Sequence, residues 1–311
     1  MGRYLVRRLL LLLPVALGVT IVTFFLLRLI PGDPAAMMLD NRATAENVAR
    51  LRHQLGLDRP LFIQYLLFLQ NIVTGRLGES LYYRSQVLPI ILERLPVTLF
   101  LAAYSTILAA VVAVPLGAWA ALQKGRAPDQ VIRLGVLFSL ATPNYWAAIV
   151  LLLVFSVELR WFPVGGFGTT FGEHLRHLLL PALTIALSLV PILVRTLRHN
   201  ILEVLRTEYV RTARAKGLRR MTVFSRHVLR NSLISTVSLL GLHLGFLVGG
   251  AVVTETVYAI PGSGFLLIKS TFARDYPMVQ GLTLMFAGLV ILVNLLTDVT
   301  YAALDPRVTY D

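Results

Sequence analysis

The stretch Glu208-Tyr-Val-Arg-Thr-Ala-Arg-Ala-Lys-Gly-Leu218 is a short polar segment between two long apolar ones. Residues 195–230 contain ten Lys or Arg against two Glu, whereas residues 179–194 and 233–254 contain no Lys, Arg, Asp or Glu. A short loop this rich in Lys and Arg between two membrane spans stays on the cytoplasmic side. The stretch therefore predicts a cytoplasmic loop of a membrane protein.

The same loop carries the pattern of a helix. Leu202, Leu205, Tyr209 and Ala213 recur at three- and four-residue spacing, which is typical of one apolar helix face. Gly217 suits the left-handed residue that ends a helix. Two interpretations stay open: the helix docks into a groove of a partner, or it packs on its own bundle while the basic residues orient the protein.

The composition excludes several classes of protein. Of the 311 residues, 56% are hydrophobic and only 14% are charged, which is not the composition of a soluble domain. The net charge of +13 lies in loops beside apolar runs, so it indicates membrane topology and contact with anionic headgroups of the lipid bilayer, and no nucleic acid partner. The chain has no Cys, which excludes disulfides, thiol chemistry and Cys-ligated metals.

The apolar runs predict an all-α membrane protein with six transmembrane helices, because about 20 apolar residues span a bilayer as a helix. A cytoplasmic N-terminus and an even number of spans place the C-terminus in the cytoplasm as well. The mixed segment 31–96, with predicted helices over 44–55 and 60–73, forms a small helical extracytoplasmic insertion after the first helix. The predicted spans are 9–30, 97–122, 132–157, 178–194, 234–254 and 278–301.

A few polar groups lie within or beside these spans. Thr142 and Asn144 flank Pro143 in the third span, and a break of this kind is tolerated where the backbone is buried or lines a water-filled cavity. They either line a pathway or belong to a plain kink. Glu255, at a membrane border, either lies near an outer gate or orients the following Pro-Gly turn.

Other features carry less chemistry. A ridge of glycines in the fifth span predicts close helix packing, either inside the bundle or against a second subunit. His174 and His177 lie three residues apart without a convincing carboxylate pattern, so we expect plain surface and no metal site. The ridge consists of Gly241, Gly245, Gly249 and Gly250.

No motif predicts an enzyme. The chain lacks Gly-x-x-x-x-Gly-Lys-[Ser/Thr], His-Glu-x-x-His and Gly-x-Ser-x-Gly, so neither ATP binding nor hydrolysis is expected of it. A stand-alone secondary transporter or channel is one alternative. Such proteins commonly show internal repeats and carry charges inside their spans. The spans of this chain show no internal repeat and are nearly free of charge, with Asp298 as the main exception. A membrane scaffold is a weaker alternative, since it needs no polar pathway.

Ala213-x-x-x-Gly217, in a cytoplasmic loop before the penultimate span, resembles the EAA loop of ABC importer permeases, whose coupling helix sits in a cleft of the ATPase subunit. The longer strings resemble the dipeptide/oligopeptide/nickel branch of that family more closely. Arg211 stands where the family has its name-giving Glu, and Ser235 where Pro is common. The strings are Tyr209–Leu218 with Arg226–Asn231, Leu55–Leu61, Glu93–Thr98, Thr254–Gly264 and Asp305–Arg307.

The resemblance implies a type I permease fold and an ATP-driven importer of short peptides or related solutes. It implies a binding protein that delivers substrate, a second, different permease subunit, two cytoplasmic ATPase subunits that hold ATP and Mg²⁺, and a prokaryotic plasma membrane. No cofactor is expected on this chain, and dipeptide, oligopeptide, glutathione-like, sugar and chelated-nickel substrates stay open.

The resemblance also divides the chain. It implies an N-terminus and first transmembrane helix over 1–30, the insertion over 31–96, and a five-helix permease core over 97–311 with its coupling loop at 195–230. The residues implied to contact the ATPase are Glu203, Glu208, Tyr209, Arg211, Thr212, Ala213, Arg214, Ala215, Lys216 and Gly217.

Overall fold

The computed structural model describes residues 2–29, 44–54 and 56–304, and it describes their side chains except within 2–11, 26–29, 51, 54, 235, 238, 242–250 and 298–304. Helices dominate this part of the chain. They are α1 (Gly2–Leu29), α2 (Ala45–Gln54), α3 (Leu61–Val73), α4 (Val87–Leu122), α5 (Ala127–Ala141), α6 (Asn144–Leu151), α7 (Phe171–Val204), α8 (Glu208–Ala215), α9 (Arg230–Val257), α10 (Ser263–Phe272) and α11 (Tyr276–Leu304). Two π-helical segments, Leu152–Glu158 and Val223–Leu229, follow α6 and precede α9, and a three-residue helical turn, Arg220–Thr222, lies before the second segment.

The long apolar helices confirm an all-α membrane protein. Among the described residues, α4, α7 and α11 are long and apolar enough to cross a membrane, and the bent pair of α5 with α6 and its π-helical extension would make a fourth span. Many large apolar side chains on these helices are exposed, as expected for surfaces that face lipid or another subunit. The count of six spans stays a prediction, because parts of α1 and α9 lie outside the described side chains.

Two helices begin earlier than the sequence pattern predicts. The helix predicted from 97 begins at Val87, because Pro96 lies inside α4. Membrane helices tolerate such a proline where neighbouring groups satisfy the freed backbone. The helix predicted from 178 begins at Phe171, where Thr170 accepts a hydrogen bond from the Glu173 N–H and Glu173 accepts one from the Thr170 N–H. This reciprocal capping box extends the helix outward by two turns.

The third predicted span, 132–157, is not one straight helix. It consists of α5, α6 and the π-helical segment, and its two halves meet at an angle of 101°. Thr142 adopts an extended conformation immediately before Pro143, as the ring of a following proline requires. The Ser139 hydroxyl donates to the Leu187 carbonyl of α7 at 2.6 Å, which anchors the first half beside the break.

The described chain divides into two compact units, of which the larger comprises residues 96–265 and 292–304. Its central element is α7. In the apolar 18-residue stretch of α7, 61% of the residues are buried, against 33% in the corresponding stretch of α4. Leu178 and Leu193 of α7 pack in one apolar cluster with Leu101 of α4 and with Tyr258, whose hydroxyl donates to the Ala148 carbonyl at 3.1 Å. The predicted domain boundaries at 30 and 96 stay a prediction.

Within this unit, α9 and α11 approach closely at one member of the predicted glycine ridge. A Cβ on Gly241 would overlap the side chain of Thr297. Gly241 therefore serves packing inside this chain, which is one of the two interpretations of the ridge. The side chains around Gly245, Gly249 and Gly250 lie outside the described residues.

The second unit comprises residues 2–95 and 266–291. In it, Phe24 of α1 packs edge-on against Tyr65 of α3, with ring centroids 5.2 Å apart. The helix predicted over 60–73 is confirmed by α3, which spans Leu61–Val73. A separate apolar cluster joins the beginning of α4 to α10 and α11 through Val87, Ile91, Leu266, Met278 and Leu282.

A buried carboxylate holds a loop of this second unit. Asp275 is fully buried and accepts hydrogen bonds from the Ser80 hydroxyl, from the Leu81 N–H at 3.1 Å and from the Met278 N–H at 3.4 Å. It therefore caps the first turn of α11 and fastens the segment around Ser80 to it.

Candidate functional site

The predicted coupling helix exists as α8, a separate eight-residue helix that follows α7. The chain breaks after Val204, and Thr207 is extended at the N-cap of α8 while its hydroxyl donates to the Val204 carbonyl at 2.6 Å. The single helix that the spacing from Leu202 to Ala213 predicted is therefore wrong, because three residues between α7 and α8 turn the chain.

The inner face of α8 consists of two small side chains. Val210 is 0% exposed and Ala213 is 6% exposed. Both belong to an apolar cluster, here called the coupling cluster, that includes residues of α4, of α7 and of the π-helical segment before α9. Its buried members are Ala121, Leu197, Ile201, Val210, Ala213, Val223 and Val228. Tyr209, which was predicted to lie on this inner face, is exposed.

The outer face of α8 and the turn after it are open to solvent. Glu208 and Arg211 form an ion pair at 3.0 Å, but both side chains are nearly four-fifths exposed, so the pair adds little stability. Nine consecutive residues, 214–222, are exposed, among them the apolar Leu218 and Met221. Of the predicted contact residues, this face presents Glu208, Tyr209, Arg211, Thr212, Arg214, Ala215, Lys216 and Gly217.

Gly217 ends α8 in the predicted left-handed conformation, with φ +76°. Its N–H donates to the Arg214 carbonyl at 3.0 Å, and the Lys216 N–H donates to the Thr212 carbonyl at 3.0 Å. A Cβ on Gly217 would meet no atom within 4 Å, so backbone conformation and not space favours glycine here.

Tyr209 connects α8 to the beginning of α9. Its hydroxyl donates to the His227 carbonyl at 3.4 Å and accepts from the Asn231 amide at 3.0 Å. His227 lies in the π-helical segment before α9, and π-helices are frequent at functional sites. Helix α8 is therefore linked to α9 through Tyr209 and to α7 through the coupling cluster.

Glu203, predicted as a contact residue, lies on the last turn of α7 beside His199, with 3.3 Å between Oε1 and Nε2.

A buried ion pair beside the loop between α4 and α5 escaped the sequence analysis. Asp129, 1% exposed, accepts two hydrogen bonds of 2.7 Å from the guanidinium of Arg198 and one of 2.9 Å from the Gly125 N–H. It thereby joins the first turn of α5 to α7, nearly two turns before α7 ends at Val204. The only local feature of the sequence that could have indicated a role for Asp129 is its position in the first turn of α5, where acidic residues are favoured.

Thr142 and Asn144 occupy the break between α5 and α6. The Thr142 hydroxyl donates to the Phe138 carbonyl at 2.8 Å, which satisfies the end of α5. The Asn144 amide oxygen accepts a hydrogen bond from the Ser188 hydroxyl of α7. Both side chains therefore have partners within the bundle, and their place along a pathway stays a prediction.

Glu255 lies at the end of α9, and its carboxylate is 0% exposed. Oε1 accepts from the Thr98 hydroxyl at 2.7 Å, and Oε2 accepts from the N–H groups of Gly264 and Phe265 at 2.8 and 2.9 Å. Glu255 thus caps α10, a helix that the sequence analysis missed. This geometry accounts for the turn-orienting interpretation, while the outer-gate role stays a prediction.

The two loop histidines bind backbone carbonyls. His174 Nδ1 lies 2.7 Å from the Phe167 carbonyl oxygen, and His177 Nδ1 lies 2.8 Å from that of Gly165. Within the described ranges, no group of three His, Asp or Glu side chains could hold a metal ion.

Comparison with known proteins places the chain among transport components. The family model described as binding-protein-dependent transport system inner membrane component matches residues 113–310, and the model of the N-terminal part of such components matches residues 1–102. The oligopeptide transport system permease protein AppB of Bacillus subtilis is 38% identical, with all of both chains covered. The di/tripeptide transport system permease protein DppB of Pseudomonas aeruginosa is 39% identical over 99% of this chain and 98% of its own.

Solved structures share the fold at low identity. A chain of the MetNI methionine ABC transporter, in an inward-facing conformation, superposes with a TM-score of 0.57 at 16% identity, over 70% of this chain and 96% of its own. A chain of an amino acid ABC transporter with histidines gives a TM-score of 0.50 at 15% identity, over 69% of this chain and 94% of its own.

Proposed function

The chain belongs to the family of binding-protein-dependent transport system inner membrane components, and we propose that it is the permease subunit of an ATP-driven importer of short peptides. Support for the substrate class comes from relatives of nearly equal length whose names refer to oligopeptide and di/tripeptide transport. The chain itself carries out no chemical reaction and holds no cofactor. ATP and Mg²⁺ belong to its partner subunits.

The observation that carries this proposal is the two-sided geometry of α8. Its outer face offers charged and apolar side chains to a partner, while Val210 and Ala213 on its inner face belong to the coupling cluster with Leu197 and Ile201 of α7. A movement imposed on the outer face is therefore passed to α7, the most buried of the long apolar helices. Rigid-body rearrangement of packed helices is the general form of such a switch.

The partners follow from the same proposal. Two cytoplasmic ATPase subunits contact the outer face of α8 and the turn after it. A second, homologous permease subunit completes the pathway as a heterodimer, and an extracytoplasmic binding protein delivers the peptide. The chain lies in a prokaryotic plasma membrane as a multi-pass protein, with the N- and C-termini in the cytoplasm. Thr142, Asn144 and Glu255 lie along the pathway or its outer gate.

Uptake of a labelled dipeptide by cells that lack this chain, but keep the other subunits, tests the proposal. Expression of the chain should restore uptake, and depletion of ATP should abolish it. Uptake by liposomes that contain only this chain and no ATP would instead support the stand-alone transporter.

A further inference from the structure

A basic cavity of about 580 Å³ opens between α5 and α7. Four nitrogen-bearing side chains line it: Arg133 from α5, and Arg195, Arg198 and His199 from α7. We call it the basic cavity. It lies on the larger unit, at the end of α7 that leads into the coupling loop, and none of its arginines belongs to the predicted contact residues of α8.

Two of the positive charges in the basic cavity have no ion-pair partner among the described residues, although Arg133 is near enough to Asp129 to act on its charge. Arg198 is occupied by Asp129, and His199 lies 3.3 Å from Glu203. Among the described residues, no ion pair or hydrogen bond is formed by the side chains of Arg133 and Arg195, and both are exposed. Two guanidinium groups with no hydrogen-bond or ion-pair partner in the described part of the chain, beside a third that is held by Asp129, favour a multivalent anion, and phosphate oxygens match the planar guanidinium fork.

An apolar surface runs from the basic cavity along α5. Val136 and Leu137 line the cavity itself, and Arg133, Leu137 and Leu140 share one face of α5 at four- and three-residue spacing. Leu137 is 60% exposed and Leu140 is 54% exposed. A ligand with a phosphate head and an alkyl tail would satisfy both parts of this surface, whereas a small soluble anion would leave the leucines uncovered.

We propose that the basic cavity binds the phosphate headgroup of an anionic phospholipid, with an acyl chain against Leu137 and Leu140. Basic pockets between transmembrane helices on the cytoplasmic side are suited to such headgroups. The bound lipid lies against the last three turns of α7, which ends at Val204 just before α8, so the composition of the membrane acts on the same helix as α8.

Retention of phosphatidylglycerol by the purified complex, measured by native mass spectrometry through detergent washing, tests this proposal. The double variant Arg133→Gln/Arg195→Gln should bind the lipid about 30-fold more weakly, which is the effect of two arginines at a membrane surface. Both side chains are exposed, so the variant should fold. Arg198 is left intact because its removal would strand the buried Asp129.

The matched control is Lys124→Gln/Arg126→Gln, which removes two positive charges from the adjoining loop outside the basic cavity. It should retain the lipid as the wild-type complex does. Equal retention by the Arg133/Arg195 variant, or equal loss in the control, would overturn the proposal. Displacement of the lipid by inorganic phosphate alone would also overturn it, because the ligand would then be a soluble anion without a tail.

Discussion

At the scale of single residues, two buried carboxylates carry interactions that their sequence positions do not reveal. Asp129 accepts two hydrogen bonds from the guanidinium of Arg198. Glu255 accepts two from backbone N–H groups at the start of α10 and one from the Thr98 hydroxyl of α4. Burying an acidic group inside a membrane protein costs folding free energy unless its oxygens have hydrogen-bond or ion-pair partners. Loss of the partners of Asp129 or Glu255 should therefore destabilise the fold.

Removal of one partner should be worse than removal of both. Arg198→Met leaves Asp129 buried without its cation, and we expect a loss of about 3 kcal/mol in stability. The double variant Asp129→Asn/Arg198→Met should recover much of this loss. Thermal unfolding of the detergent-solubilised chain measures both effects, and a double variant less stable than Arg198→Met would contradict the assignment.

Glu255 should tolerate an amide but not truncation. Glu255→Gln can still accept from the Gly264 and Phe265 N–H groups while its amide faces Thr98, so we expect a small effect. Glu255→Ala strands three buried donors and should cost about 3 kcal/mol or more. The same unfolding measurement compares the two variants, and equal losses would show that the hydrogen bonds to Glu255 contribute nothing specific.

At the scale of elements, we propose separate tasks for the two faces of α8. Ala213 faces the coupling cluster, whereas Ala215, two residues later, is exposed. Ala213→Leu overpacks the inner face at a cost of about 1–3 kcal/mol and should reduce uptake while the ATPase subunits stay bound. Ala215→Leu should instead weaken ATPase binding. Co-purification and peptide uptake together separate these outcomes, and identical behaviour of the two variants would contradict the two-face description.

The elements also show what local sequence reasoning reaches. Gly217 predicted the end of α8 because its left-handed backbone is a local property. Of the predicted apolar face, Leu202, Leu205 and Ala213 do pack in the coupling cluster, whereas Tyr209 does not. A three-residue turn after α7 changes the helical phase, and spacing alone does not register a turn. Helix α10 was missed because its cap, Glu255, comes from the end of another helix and not from its own N-terminal residues.

At the scale of the whole molecule, hydropathy predicted the class well because lipid imposes one requirement on every spanning helix. The break at Pro143 was predicted, but its angle of 101° was not. Pro143 fixes its own φ and restricts the residue before it, whereas the two sides of the break are held by hydrogen bonds from Ser139 and Ser188 to partners 48 and 44 positions away. The pairing of Asp129 with Arg198, 69 positions apart, was unpredictable for the same reason.

The central claim is that α8 couples ATP hydrolysis in partner subunits to transport, and one pair of variants tests it directly. Gly217 and Gly125 have φ +76° and +78°, and a Cβ on either would meet open space. Valine at either position therefore adds a backbone strain of at least about 1–2 kcal/mol. Gly125→Val is the more severe control, because the Gly125 N–H also donates to Asp129. Only Gly217 belongs to the predicted contact surface.

The measurement is ATP-dependent uptake of a labelled dipeptide by the reconstituted complex, with ATP hydrolysis recorded in the same samples. Gly217→Val should lower the number of peptides taken up per ATP at least tenfold, while Gly125→Val should keep the wild-type ratio. An unchanged ratio in Gly217→Val, or an equal loss in both variants, would contradict the account.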